Sequence, residues 1–184
     1  MAKAVIQKNW YEIQAPEIFD ADEVTETPAE KDSQVVGRKV REGLEDLMEG
    51  TDKYYADVTL KVTDVEGNKA FTEIAGMEVS KEYVSRMIRK RSDRFDLVHD
   101  TKTDDGKTVR IKVVGATVRN TSSKTLKDVR NAMKDLIDEE ANSATYHEVM
   151  EMIFEDRLQD ELRDIAEDIY PFRQLEIRKT ELRD

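Results

Sequence analysis

The sequence predicts an α+β fold. Three observations carry this: two pairs of segments in which apolar and polar residues alternate, a short glycine-containing turn inside each pair, and stretches of helical spacing after each pair and through the last third. At 184 residues the chain has the length of one domain with appendages and can bury a real core. The expected organisation is an N-terminal arm, residues 1–35, and a single α+β body, residues 36–184, with an acidic helical C-terminal third.

The first element is a short strand from Trp10 to Ile13. The run APEIFDADEVTETPAEKDSQ holds two of the three prolines and many acids, and is expected to be an extended or irregular arm. VVGRKVREGLEDLM stays open between helix and strand. Val36, Val40, Leu44, Leu47 and Met48 recur at helical spacing, yet two glycines and the even separation of Val36, Val40 and Leu44 permit a strand. Tyr55–Val65 alternates cleanly, with Val58, Leu60 and Val62 on one face and Asp57, Thr59, Lys61 and Thr63 on the other. Glu66, Gly67 and Asn68 form a turn, and Lys69–Val79 returns with Ala75, Met77 and Val79 in phase, making a hairpin.

Ser80 caps a short helix in which Tyr83, Val84, Met87 and Ile88 form an apolar stripe, with Arg86, Arg89 and Lys90 on another face. A second hairpin, Phe95–Thr103 and Thr108–Arg119, turns at Asp104, Asp105 and Gly106. In its second strand Val109, Ile111 and Val113 oppose Arg110 and Lys112, and the phase is expected to slip in a bulge at Val114-Gly115. From Ser122 a helix follows, with Leu126, Val129, Met133, Leu136 and Ile137 inward and Lys124, Lys127, Arg130 and Lys134 on its polar side. A capping box from Thr145 to Glu148 opens one acidic amphipathic helix running through Tyr146, Ile153, Leu158 and Leu162 to Ala166. Pro171 ends it, and Leu175 and Ile177 mark a last strand.

Composition excludes several classes of chemistry. With no cysteine there is no disulfide, thiolate nucleophile or cysteine zinc site. His99 and His147 lie in different elements without metal-ligand spacing, so both are expected to be structural. There is no phosphate-binding glycine loop and no Gly-x-Ser-x-Gly. Asp104 and Asp105 could be imagined as the carboxylates of a metal-dependent nuclease, but followed by Gly106 between alternating strands they read as a hairpin turn. No catalytic residue, metal or cofactor is expected. The apolar run in MAKAVIQKNW is too short for a secretory core, and no stretch approaches the ~20 apolar residues that span a bilayer, so no membrane partner is expected.

Charge carries the functional signal. Net charge is −11, but Met1–Val79 holds 9 basic and 18 acidic residues, Ser80–Lys134 holds 15 and 7, and Asp135–Asp184 holds 6 and 16. RMIRKRSDRF alone packs Arg86, Arg89, Lys90, Arg91 and Arg94 into ten residues. Like charges repel on a helix surface, and cations recurring on helix, strand and helix point to phosphate contact, the footprint of nucleic-acid binding. Trp10 and Tyr11 beside Lys8 fit either base stacking or a buried anchor for the arm, and the buried anchor is the expectation.

NWYEIQAPEIF, ETPAE, VGRKVREGLEDL, DLVHDTKTDDGKTVRIKVVGATVRNTSSKTLKDVRNAM and YPFRQLEIRK, in this order and spacing, resemble the S-three-A-e (e-S-one) family of archaeal and eukaryotic small-subunit ribosomal proteins across nearly the whole chain. The resemblance implies an antiparallel, barrel-like β-sheet flanked by α-helices, with VGRKVREGLEDL as a strand. It implies a structural constituent of the cytoplasmic ribosome, on the small-subunit platform near the mRNA exit. The implied partners are small-subunit rRNA in its 3' region, neighbouring small-subunit ribosomal proteins and mRNA near the exit. Matched onto the family's basic strand and helix, Arg110, Lys112, Arg119, Lys124 and Arg130 become rRNA-binding candidates, with Lys127 on the same helix. Arg86, Arg89, Lys90, Arg91 and Arg94 match a basic helix end more loosely. Two departures stand out: the family's lysine-rich N-terminal tail is reduced here to Lys3 and Lys8, and the chain is acidic overall. The alternative is an acidic protein–protein interaction module whose basic patch is incidental.

Overall fold

The computed structural model describes residues 8–183. Lys3 and the apolar start of MAKAVIQKNW, on which the N-terminal reading partly rests, lie outside them. The chain divides into two compact units, one running to Gly76 and the other from Met77.

In the first unit β1 (Asn9–Gln14) pairs antiparallel with β2 (Glu23–Ala29), and β3 (Lys39–Gly43) with β4 (Ala56–Glu66). Gly67 at φ +64 makes the turn from β4 into β5 (Lys69–Val79), the positive angle that glycine adopts without steric cost. Alternation does what it predicted: Ala56, Val58, Leu60 and Val62 are all buried. Tyr11, Ile13, Ala29, Val35, Val62 and Ala70 form one cluster, and the Tyr11 hydroxyl reaches its edge to donate to Asp32 Oδ1 at 2.7 Å.

The run expected to be an extended or irregular arm is extended in part, since it contains the strand β2. Pro28 is tolerated there because β2 ends the strand order and needs no donor on its outer side. The segment open between helix and strand is both: β3 stops at Gly43, and α1 (Leu44–Leu47) turns so that Leu44 and Leu47 are buried. Expected buried with Tyr11, Trp10 is instead 60% exposed, because adjacent strand residues face opposite sides.

In the second unit β6 (Arg94–Lys102), β7 (Thr108–Thr117) and β8 (Phe172–Arg183) form an antiparallel sheet in the order β8-β7-β6. The end of β5 also reaches β8, with the Met77 N–H donating to Thr180 Oγ1 at 3.0 Å. Helix α2 (Lys81–Met87) is capped by Ser80; α3 (Ser123–Ser143) packs on β6 and α5 (Arg157–Glu167) on β8, with α4 (Tyr146–Phe154) between them in the chain. On α3 Val129, Met133, Ile137 and Ala141 are at most 1% exposed, a four-residue spacing in which each large side chain contributes about 1.5–3 kcal/mol of burial.

Four expectations are corrected. Strand β1 runs parallel to β5, Ile13 beside Ala70, with β2, β3, α1 and β4 making up the crossover that parallel neighbours need. Among the described residues the eight-stranded sheet is thus mixed, with six strands in the hydrogen-bonded order β2-β1-β5-β8-β7-β6 and, off that path, β3 paired with β4 and β4 with β5; the path has ends, so it is not closed into a barrel. The single acidic helix is two, broken at Asp156, whose φ of 63° is left-handed. The bulge expected at Val114-Gly115 is displaced: pairing with β6 is continuous there, and the slips occur against β8 at Lys112/Val113 and Ala116/Thr117.

Candidate nucleic-acid interface

Two loops at one end of the β6/β7 hairpin, with the helices beside them in the chain, carry seven of the candidate cations. Helix α2 buries Val84 and Met87 and stops when Ile88 becomes extended, so Arg89, Lys90 and Arg91 lie beyond it and not on its face. The loop closes on itself where the Ser92 hydroxyl donates to the Arg89 carbonyl at 2.8 Å, with Arg91 in the left-handed region at φ 69°. The second loop leads from β7 to α3. It is held by the Val118 N–H on the Pro171 carbonyl at 3.2 Å and by the Tyr170 hydroxyl, which donates to the carbonyls of Arg119 and Asn120 at 3.2 and 3.4 Å. Ser122 caps α3 by accepting from the Thr125 N–H at 3.1 Å.

Asp93 joins the two loops. Its N–H donates to Thr117 Oγ1 at 2.8 Å, its carbonyl accepts from the Thr117 N–H at 3.0 Å, and its carboxylate accepts from the Thr121 N–H at 2.8 Å. The loop bearing Arg91 and the loop bearing Arg119 are thereby pinned side by side, with Lys124 in the first turn of α3. Arg86, Arg89, Lys90, Arg91, Arg119, Lys124 and Lys127 are all exposed, and none has an ion pair among the described residues.

The other candidates are engaged within the protein. Arg110 grips Asp100 through two hydrogen bonds of 2.6 Å, and this bond, more than the charge itself, holds the Asp100 carboxyl below the usual range. Lys112 pairs with Glu181 at 3.1 Å; burial raises the Glu181 carboxyl, but Lys112 and Lys179 together outweigh it and bring it down. Arg94 forks onto Asp96 at 2.6 and 3.0 Å. Arg130 donates to the Asp96 carbonyl at 3.1 Å and lies over the Phe95 ring, 5.1 Å from its centroid. The strand face that reads as basic in sequence is therefore a lattice of opposite charges. Its signal was present: a turn centred on Asp105 sets Asp100 opposite Arg110.

Asp93 was the residue that sequence reasoning missed, because a lone acid within a basic run carries no motif. His99 accepts or donates across to Asp138 Oδ1 at 2.8 Å, joining β6 to α3. Asp105 is a turn residue whose Oδ1 accepts from the Thr103 hydroxyl and from the Tyr146 N–H at 3.2 Å. No group of acidic or histidine side chains suited to a metal occurs among the described residues, and no described helix is long and apolar enough to cross a membrane.

A family model described as the Ribosomal S3Ae family matches residues 2–184. A Haloarcula marismortui protein named small ribosomal subunit protein eS1 is 32% identical over 182 residues, covering 99% of this chain and 85% of its own. The protein of that name from Methanopyrus kandleri is 33% identical over 179 residues, 95% and 85% of the two chains. That from Natronomonas pharaonis is 31% identical over 182 residues, 99% and 88%.

Proposed function

This chain belongs to the Ribosomal S3Ae family, and from that membership we propose that it is a structural, non-catalytic constituent of the small subunit of the cytoplasmic ribosome, binding small-subunit rRNA through the two clasped basic loops. Its place in this reading is the platform near the mRNA exit, against the 3' region of the rRNA and neighbouring ribosomal proteins. The observation that carries the RNA contact is the set of seven exposed cations, without ion pairs among the described residues, carried by the two loops that Asp93 clasps and by the helices beside them in the chain. The segments before Ser80 and after Lys134 are both net acidic, so an unneutralised basic surface in the middle of the chain has an external counter-charge to meet.

The mechanism is positioning. Each Arg or Lys placed on a phosphate releases condensed counterions, and the hydrogen-bonded loops hold the cations in a fixed array while RNA shape supplies specificity. Arg94, Arg110, Lys112 and Arg130 contribute less, since a phosphate would compete with their internal partners. The test is binding of the purified protein to the 3' major region of archaeal small-subunit rRNA across a salt series. Replacing Arg89, Arg91, Arg119 and Lys124 by alanine should flatten the logarithmic salt slope by about 3 units, whereas alanine at Arg110 and Lys112 should change it by less than about 1. Equal binding by parent and quadruple variant sinks the assignment of the RNA face.

A further inference from the structure

The outer face of β1 and β2 combines two features that are each unfavourable in water. Trp10, the chain's only tryptophan, is 60% exposed, and its cross-strand partner Pro28 is exposed beside it. Two residues along the same face, Glu12 stands directly opposite Glu26. Like charges in that position repel and weaken a strand pair. Glu26 has no partner among the described residues, and Glu12 accepts only from the Asn68 amide at 3.0 Å. Lys69, beside Glu12 in the parallel register, makes no ion pair with it. The opposite face of the same strands is filled, with Tyr11 and Ile13 buried, so the outward direction of Trp10 and both glutamates is fixed by the core.

One kind of occupant removes both costs. A cation seated over the indole, within about 6 Å of its ring, is attracted to the aromatic face while neutralising the two carboxylates. Phosphate is repelled by the same carboxylates, and the segment Met1–Val79 carries 18 acids against 9 bases, so nucleic acid does not fit here. Guanidinium fits better than ammonium, because its planar fork can stack on an indole and donate to a carboxylate together. We propose that the outer face of β1 and β2, with Trp10 and Pro28 beside the opposed Glu12 and Glu26, docks an arginine-rich segment of a neighbouring protein. This proposal uses none of the residues of the basic loops and does not depend on their RNA contact.

Trp10 is its own reporter, since all tryptophan fluorescence of the chain comes from it. Titrating the full chain with nona-arginine should shift or quench that emission saturably, with nona-lysine several-fold weaker. Glu12→Gln with Glu26→Gln should weaken the nona-arginine midpoint about tenfold, and removing a repulsive pair leaves folding intact. Glu139→Gln with Glu167→Gln, the same charge change on other elements, should leave the midpoint unmoved. The inference is overturned if the Glu12/Glu26 variant titrates like the parent, if the control variant weakens binding as much, or if a uridine decamer moves the emission and nona-arginine does not.

Discussion

The Asp93 carboxylate accepts the Thr121 backbone N–H at 2.8 Å, so an acid joins the loop that carries Arg91 to the loop that carries Arg119. Charge and architecture make opposite forecasts for its removal. Electrostatics alone says that deleting an anion tightens phosphate binding. The hydrogen bonds say that Asp93→Ala frees the Thr121 N–H, costs about 1–2 kcal/mol in urea unfolding and lets the loops part, so that rRNA affinity falls. Asp93→Asn keeps an acceptor and loses the charge, and should bind at least as tightly as the parent. Tighter binding by Asp93→Ala would show that the loops are placed by other contacts.

Arg91 offers a second separation, between stability and function. A side chain in the left-handed region is strained, and Arg91 holds φ 69° with no internal partner to compensate. Arg91→Gly relieves the strain at some cost in unfolded-chain entropy, for a net gain of about 0.5–1 kcal/mol. Arg91→Ala keeps the strain and should leave stability unchanged. Both should lower the rRNA salt slope by the same amount, about 0.7–0.9. A salt slope that stays at the parent value in both variants removes Arg91 from the interface.

These two residues mark where sequence reading stops. Period-two alternation located β4 through β7, and the serines and Thr145 located three helix starts, because those signals are local: a pleat or a cap needs only neighbours. The α4–α5 break escaped because Phe154 and Leu158 keep helical spacing across it, and neither glycine nor proline announces Asp156. The parallel β1–β5 pairing depends on where a distant strand returns, which no local pattern encodes. Among the candidate cations, sequence gives the charge but not the partner. Arg110 and Arg119 look alike in the chain, yet one faces Asp100 across a hairpin and the other lies in a loop without an ion pair among the described residues. Family resemblance supplied the role of the chain, and side-chain pairing sorted the cations.

Gly115 illustrates a glycine noticed for the wrong reason. A phase slip would require it for backbone freedom, but pairing with Asp96 and Phe95 of β6 is regular through Val114 and Gly115. Its constraint is space: a Cβ there would lie 2.9 Å from the Phe172 ring and 3.3 Å from the Gln174 carbonyl oxygen. The ring itself is fixed edge-on against Phe95, centroids 5.4 Å apart. Gly115→Ala should therefore cost about 1–3 kcal/mol in urea unfolding by overpacking. Adding Phe172→Leu should recover part of that loss, and a double variant no better than the sum of the singles would mean that the backbone, not the ring, refuses the methyl group.

The capping box of α4 gives a pH prediction. The Thr145 hydroxyl oxygen accepts from the Glu148 N–H, and the Glu148 carboxylate accepts from the Thr145 N–H at 2.7 Å. That backbone hydrogen bond, with help from the Thr145 hydroxyl, holds the Glu148 carboxyl below its usual value. A carboxyl depressed on folding adds stability above its unfolded value and loses it as pH falls through the lower folded value. In urea unfolding from pH 6 to pH 3, parent and Glu148→Gln should differ most at pH 6 and converge towards pH 3. Thr145→Ala should cost about 1 kcal/mol at pH 6 by removing the cap itself. Parallel acid limbs for parent and Glu148→Gln would show that the carboxylate makes no net contribution beyond an amide in its place.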